Sequence, residues 1–249
     1  MDTAAARPRR KVRTDDWFFL GMALLALIVV LAGFARTYFL AGVFRAPLPN
    51  RLIHIHGAVF TLWILLFTSQ IGLVAARRLA VHRRIGLAGF GLAALMIVLG
   101  VTAASDRLAR DTRTPGKTTP QEARAFYAVP MGDMLMFATF ISLGYRYRSN
   151  PAAHKRLMLF ATFALLDAGF DRWSVFDPYP LWLVNAICFW PLVLATMAWD
   201  WRSCGRVQRV TIWATVFLVT VQESRHLIGY TAGWQRLAAW VGTHMPAFH

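Results

Sequence analysis

Apolar residues along this chain run on for about 20 positions at a time rather than alternating with polar ones at the short periods of a soluble domain. Seven such stretches fall at roughly 17–36, 52–74, 85–104, 126–145, 157–173, 181–199 and 210–228. Each has the length an α-helix needs to cross a hydrocarbon core of about 30 Å, and helix is the form in which a single segment satisfies its own backbone there. The pattern predicts an all-α integral membrane protein: a seven-helix bundle over 17–230, behind a polar, basic leader at 1–16. The first run is as long as the others and lacks a small-residue cleavage site, so it is expected to stay as the first helix. Residues 105–125, SDRLARDTRTPGKTTPQEARA, read as an external loop because they are charged and interrupted by Pro and Gly. In the tail, 231–249, the stretch TAGWQRLAAWVG spaces Trp234, Leu237 and Val241 at helical intervals, which predicts an interfacial helix lying on the outer leaflet.

Composition agrees with this, at 57% hydrophobic and 16% charged residues, but the net charge of +15 raises the question of nucleic acid. The distribution of the charge answers it. Alternate connections carry 16 of the 27 Lys and Arg residues, among them Arg77, Arg78, Arg83, Arg84, Lys155 and Arg156, and the split in net charge is +12 against +3. This is the positive-inside pattern of an inner-membrane protein with a cytoplasmic N-terminus and an external C-terminus. Its partners are then lipids rather than nucleic acid. Cys188 and Cys204 fall on no metal-ligand spacing and are not placed for a disulfide, and no C-x-x-C-H is present for covalent haem.

Two stretches resemble each other. VHRRIGLAGFGLAALM from Val81 and AHKRLMLFATFALLDA from Ala153 share a histidine, a basic pair, a branched aliphatic residue and an apolar helix. The second and third runs and the fourth and fifth therefore read as two copies of one helical hairpin, a four-helix core over 52–172, with the other three runs as additions.

Ionisable side chains inside apolar helices are costly and are functional suspects. In the outer half they are His54 and His56, Asp133, Asp167 and Asp171 with Arg172, and Glu223, Arg225 and His226. His54 and His56 lie about 200° apart around a helix. His56 shares a stripe with Phe60, Trp63, Phe67 and Gln70, which suits a bundle interior, and is the expected ligand or chemical residue. His54 lies over Gly57, Ala58, Thr61 and Thr68, a small-residue packing face. Asp167 and Asp171, one turn apart, are expected to face the core with Phe160 and Phe163.

His82 and His154 recur at matched repeat positions on the cytoplasmic side. Two imidazoles facing each other across a bundle are what a six-coordinate haem iron needs, with Arg83, Arg84, Lys155 and Arg156 placed to neutralise propionates; the alternative is that the H-[RK]-R stretches only anchor helix ends. With His56-Gly57, Trp63-Ile64-Leu65, Gly72 and Ala76-Arg77 before His82, the core resembles the transmembrane cytochrome b family of ascorbate-dependent and ferric-reductase type, over about 52–172. The resemblance implies haem b held by His82 and His154, one-electron transfer, and an electron donor or quinone as partner. It departs at VPMGDMLMF, where that family has a histidine, so an outer haem on His56 would need Met131 or His226 as second ligand. The HxHG, HRRxG, GD and HKRLM stretches are also similar to a widespread group of bacterial multi-pass membrane proteins.

Two other readings compete. An intramembrane enzyme could use His56, His226 and some of Asp133, Asp167, Asp171 and Glu223 as zinc or non-haem-iron ligands or as acid–base groups toward a lipid or isoprenoid. In that case the outer site is closed by Glu223 and His226. A transporter built on the hairpin repeat would carry its proton on Asp167.

Overall fold

The computed structural model describes residues 9–45, 50–113, 118–173, 179 and 181–245, and all regular structure among them is helical. Residues 1–8 of the basic leader and 246–249 of the tail lie outside the described residues. Helix α1 (Arg9–Phe34) runs on through a wider π-type turn, Ala35–Phe39; α2 is Arg51–Ala75, α3 Leu79–Arg113 and α4 Pro120–Arg146. These four are long and apolar enough to cross a bilayer. Their starts are written in the sequence. The Asn50 side chain accepts from Ile53 N at 2.9 Å, and Thr119 and Glu122 form a reciprocal capping box ahead of Pro120.

The later segments are shorter or interrupted. The fifth apolar run divides into α5 (Pro151–Phe163) and a single turn, α6 (Asp167–Phe170), separated by a tighter turn at residues 164–166. The sixth is α7 (Leu181–Val184), a π-type turn Asn185–Phe189, and α8 (Trp190–Cys204); α9 is Arg209–Gly229 and α10 Ala232–His244.

Helix α1 packs on α2, α5 and α6; α3 lies between α2 and α4; and α4 also packs on α5 and along α9. The first helix is therefore not an addition to the repeat core but closes the circuit between α2 and the α5–α6 segment. Gly33 makes this closure possible, because a Cβ there would collide with the backbone of Gly169. Inside the circuit Trp63, Phe67, Phe137, Phe140, Phe160 and Phe163 are buried. They form a dry aromatic middle, with the Trp63 and Phe137 rings 5.1 Å apart. Ile55, Leu62, Leu65, Leu87 and Val98 point outward from α2 and α3, where a membrane chain meets acyl tails.

One sequence expectation is corrected where α3 ends and α4 begins. Residues 105–113 and 120–125 are helical rather than loop, and α3, with 35 residues, is about 52 Å long at ~1.5 Å per residue. The charges that suggested a loop are absorbed by helical pairing: Arg110 and Arg107 reach Asp106 and Asp111, each one turn away. The hydroxyls of Ser105 and Tyr127 join α3 to α4 at 2.9 Å. The tail helix α10 packs on these extensions. Trp234 Nε1 donates to the Arg124 carbonyl at 2.8 Å, Ala238 and Gly242 are buried against the bundle, and Arg113 donates to the Gly242 and Met245 carbonyls at 3.1 and 2.8 Å. Leu237 and Trp240 form its exposed edge.

Candidate functional site

Polar side chains inside the bundle collect in two layers, one on each side of the aromatic middle. In the first layer, Asn150 caps α5 by accepting from Ala152 N and Ala153 N, which fixes the first turn that carries His154. The His154 ring binds the Gly144 carbonyl through Nδ1 at 2.8 Å. In the tautomer that donates from Nδ1, Nε2 keeps its lone pair. His82, from the first turn of α3, stands opposite. The two rings lie 6.4 Å apart between centroids at an interplanar angle of 80°, although α3 and α5 pack mainly on α4 rather than on each other. Phe90 lies beside His154 at 6.5 Å. Both polar atoms of the Gln70 amide are buried without a hydrogen-bond partner, while the Gln70 backbone lies within hydrogen-bonding reach of the His82 ring.

The basic residues beside these histidines divide. Arg83 and Arg84 are exposed. Lys155 instead pairs with Asp15, which also accepts from Trp199 Nε1 at 2.6 Å. Arg156 is buried and ion-paired with Asp200, whose other oxygen accepts from Gln208 N at 3.1 Å and from the Thr211 hydroxyl. Both side chains thus tie helices together, and the expectation that they neutralise propionates is corrected: the neighbouring helices bring carboxylates to them first.

In the second layer, Arg225 of α9 donates from one guanidinium nitrogen to Asp133 of α4 and from the other to Asp167 Oδ2 at the start of α6. Gln222 Nε2 donates to the same Asp167 oxygen. All four are buried, and Asp167 Oδ1 and Arg225 Nε have no partner. Gly132 makes room for this arrangement, since a Cβ there would lie 3.2 Å from Arg225 Cδ. The Gly-Asp pair of α4 thus provides both the space and the acceptor.

The remaining expected residues distribute as follows. His56 stacks on Phe60 at 4.0 Å with its ring within hydrogen-bonding reach of the Leu99 backbone, and Trp63 and Phe67 of the same stripe are buried. His54 is exposed on the face where the Tyr38 ring covers Gly57, and Tyr38 donates to the His54 carbonyl at 3.1 Å. Asp167 faces the core with Phe160 and Phe163, whereas Asp171 is exposed. The two stay one turn apart, with Asp171 N donating to the Asp167 carbonyl at 2.9 Å, but only Asp167 turns its carboxylate into the core. Glu223 is exposed and His226 half-buried, so Glu223 does not close an inner site. Met131 packs with Leu108, Tyr127 and Ala238 under α10. Among the described residues, no group of three or more His, Cys, Asp or Glu side chains converges in a way that would hold a metal ion.

Gln222 is the functional candidate that selection by residue type passes over, and Arg225, though among the ionisable suspects, takes no role there beside Glu223 and His226. Their signal is spacing: Thr211, Ala214, Leu218, Gln222, Arg225 and Gly229, at intervals of three and four, form the buried stripe of α9. No family model, no curated protein and no solved structure matches the chain.

Proposed function

We propose that the protein is a b-type haem protein of a bacterial inner membrane that passes single electrons, with His82 and His154 as the axial ligands. The observation that carries this reading is the meeting of two histidine rings from helices that otherwise hardly touch, 6.4 Å apart between centroids. Imidazoles on opposite faces of one metal, each with a metal–nitrogen distance of about 2.0 Å, have ring centroids about 6 Å apart. The Gly144 carbonyl holds His154 by Nδ1, the outer hydrogen bond that orients a metal-bound histidine. On the opposite ring, His82 lies within hydrogen-bonding reach of the Gln70 backbone, a partner of the same kind. These two histidines are the residues that would hold the group. Haem bound there supplies an iron that takes up and releases one electron; the helices hold the two rings in register, and Arg83 and Arg84 provide positive charge at that end.

In this reading the N-terminus is cytoplasmic, the α5–α6, α7–α8 and α9 segments join the four long helices in a seven-span arrangement, and the histidine pair sits near the cytoplasmic face. Cysteines introduced at positions 83 and 113 should react with membrane-impermeant reagents from opposite sides.

The decisive experiment is a reduced-minus-oxidised spectrum of the purified full-length protein after expression with added haem precursor. A b-type spectrum abolished by His82→Ala and by His154→Ala, and retained in His56→Ala, is expected. Absence of a Soret band from the wild-type protein would overturn the proposal.

A further inference from the structure

The outer ion cluster has an odd charge. Asp133 and Asp167 bring two carboxylates to the single guanidinium of Arg225, with Gln222 as a neutral donor. In hydrocarbon an uncompensated charge costs several kcal/mol by most scales, and a further observation shows that the cluster is incomplete as a set of ion pairs. Asp167 Oδ1 and Arg225 Nε are both deeply buried and have no partner, so an acceptor and a donor remain open within one cluster.

We infer that the Asp133–Arg225–Asp167 cluster is a proton-binding site, in which one proton shared by the two carboxylates makes the cluster neutral and Asp133 is the residue that exchanges it. The two carboxylates are not equivalent. Asp167 Oδ2 accepts from both Arg225 and Gln222, two donors that favour a fixed negative charge. Asp133 accepts from Arg225 alone through Oδ1, and its side chain keeps 13% of its surface accessible against 5% for Asp167. The proton therefore has a route through Asp133 and a counter-charge in Arg225. The other groups within electrostatic reach are Asp171 and Arg172, from the turn that ends α6, and His226 on α9. His56 contributes the remaining buried titratable ring of the outer half. This site lies about 17 Å along α4 from the Gly144 carbonyl that holds His154, at ~1.5 Å per residue, with the aromatic middle between them. It does not depend on haem.

The test is infrared difference spectroscopy of the full-length protein in lipid vesicles, isotope-labelled at aspartate and taken through a pH titration in H2O and in D2O. One protonated-carboxyl band that titrates, shifts on deuteration and disappears in Asp133→Asn is expected. In Asp167→Asn the excess negative charge is removed, so Asp133 should remain ionised and the band should again be absent. Arg225→Lys, which keeps the charge but loses the fork, should move the midpoint without removing the band. A melting curve for each variant separates loss of the band from loss of fold. Wild-type protein with no such band at any pH, or a band unchanged in both asparagine variants, would overturn the inference, as would a band that responds to Na⁺ and not to pH.

Discussion

Arg225 lies across Gly132, on a helix more than 90 positions away in sequence, so closely that a Cβ on the glycine would stand 3.2 Å from Arg225 Cδ. That contact places the guanidinium between Asp133 and Asp167, and it is open to direct test. Gly132→Ala should lower the melting temperature in detergent by an amount corresponding to about 1–3 kcal/mol, the usual cost of overpacking. Gly132→Val should also release the Arg225 ion pairs. A melt of Gly132→Val indistinguishable from wild type would show that α4 and α9 are not in register here.

The Arg156–Asp200 pair offers a comparison of single and double replacements. Removing either partner leaves a buried charge alone, so Arg156→Met and Asp200→Leu should each cost about 3–5 kcal/mol. The double variant should recover most of this, less what Gln208 N and Thr211 lose when Asp200 is gone. Thermal melts of all three in the same detergent decide it; a double variant as unstable as the sum of the singles would mean the two side chains do not interact.

The cap formed by α10 depends on Arg113, which donates to the carbonyls of Gly242 and Met245. Arg113→Ala should loosen the end of that helix and speed its proteolytic removal several-fold while leaving the bundle melt almost unchanged. Gly242→Leu, which would press on Thr112 Oγ1 at 3.3 Å from the first added atom, should do the same through packing. Unchanged proteolysis in both would show that α10 is not held by α3.

At the turn between α2 and α3, Arg77 adopts a left-handed backbone with φ of 61°. A side chain costs about 1–2 kcal/mol in this region and glycine does not. Arg77→Gly is therefore expected to raise the melting temperature slightly, provided the protein is folded in the same orientation; a fall in stability would mean that the arginine side chain contributes more than its backbone strain removes.

The two histidines that open α2 separate by burial. His56→Ala removes a ring stacked on Phe60 in the interior and should destabilise the protein by about 1–3 kcal/mol, whereas His54→Ala, at an exposed position, should stay within about 0.5 kcal/mol. Chemical or thermal denaturation of the pair checks the assignment, and equal losses would reverse it.

Local chemistry made much of this legible from the chain alone. The apolar runs located the long helices, because a helix is the form in which one segment satisfies its backbone in hydrocarbon. Asn50, Thr119–Pro120 and Asn150–Pro151 carry a local signal of helix starts, since each cap acts within its own four residues, but Thr119–Pro120 falls inside a stretch that reads as loop. The matched H-[RK]-R stretches pointed to His82 and His154 as partners, and the rings do face each other. What composition concealed was contact between distant segments. Residues 105–113 look like loop until Tyr127 and α10 cover their helix. Lys155 and Arg156 look available until Asp15 and Asp200 arrive from the first and eighth helices. Arg225 looks less suited to a site than Glu223 or His226 until packing shows which stripe of α9 turns inward. A charge in an apolar interior is stabilised only by the partner beside it, and which partner that is depends on how the helices pack, a relation that no local window of sequence contains.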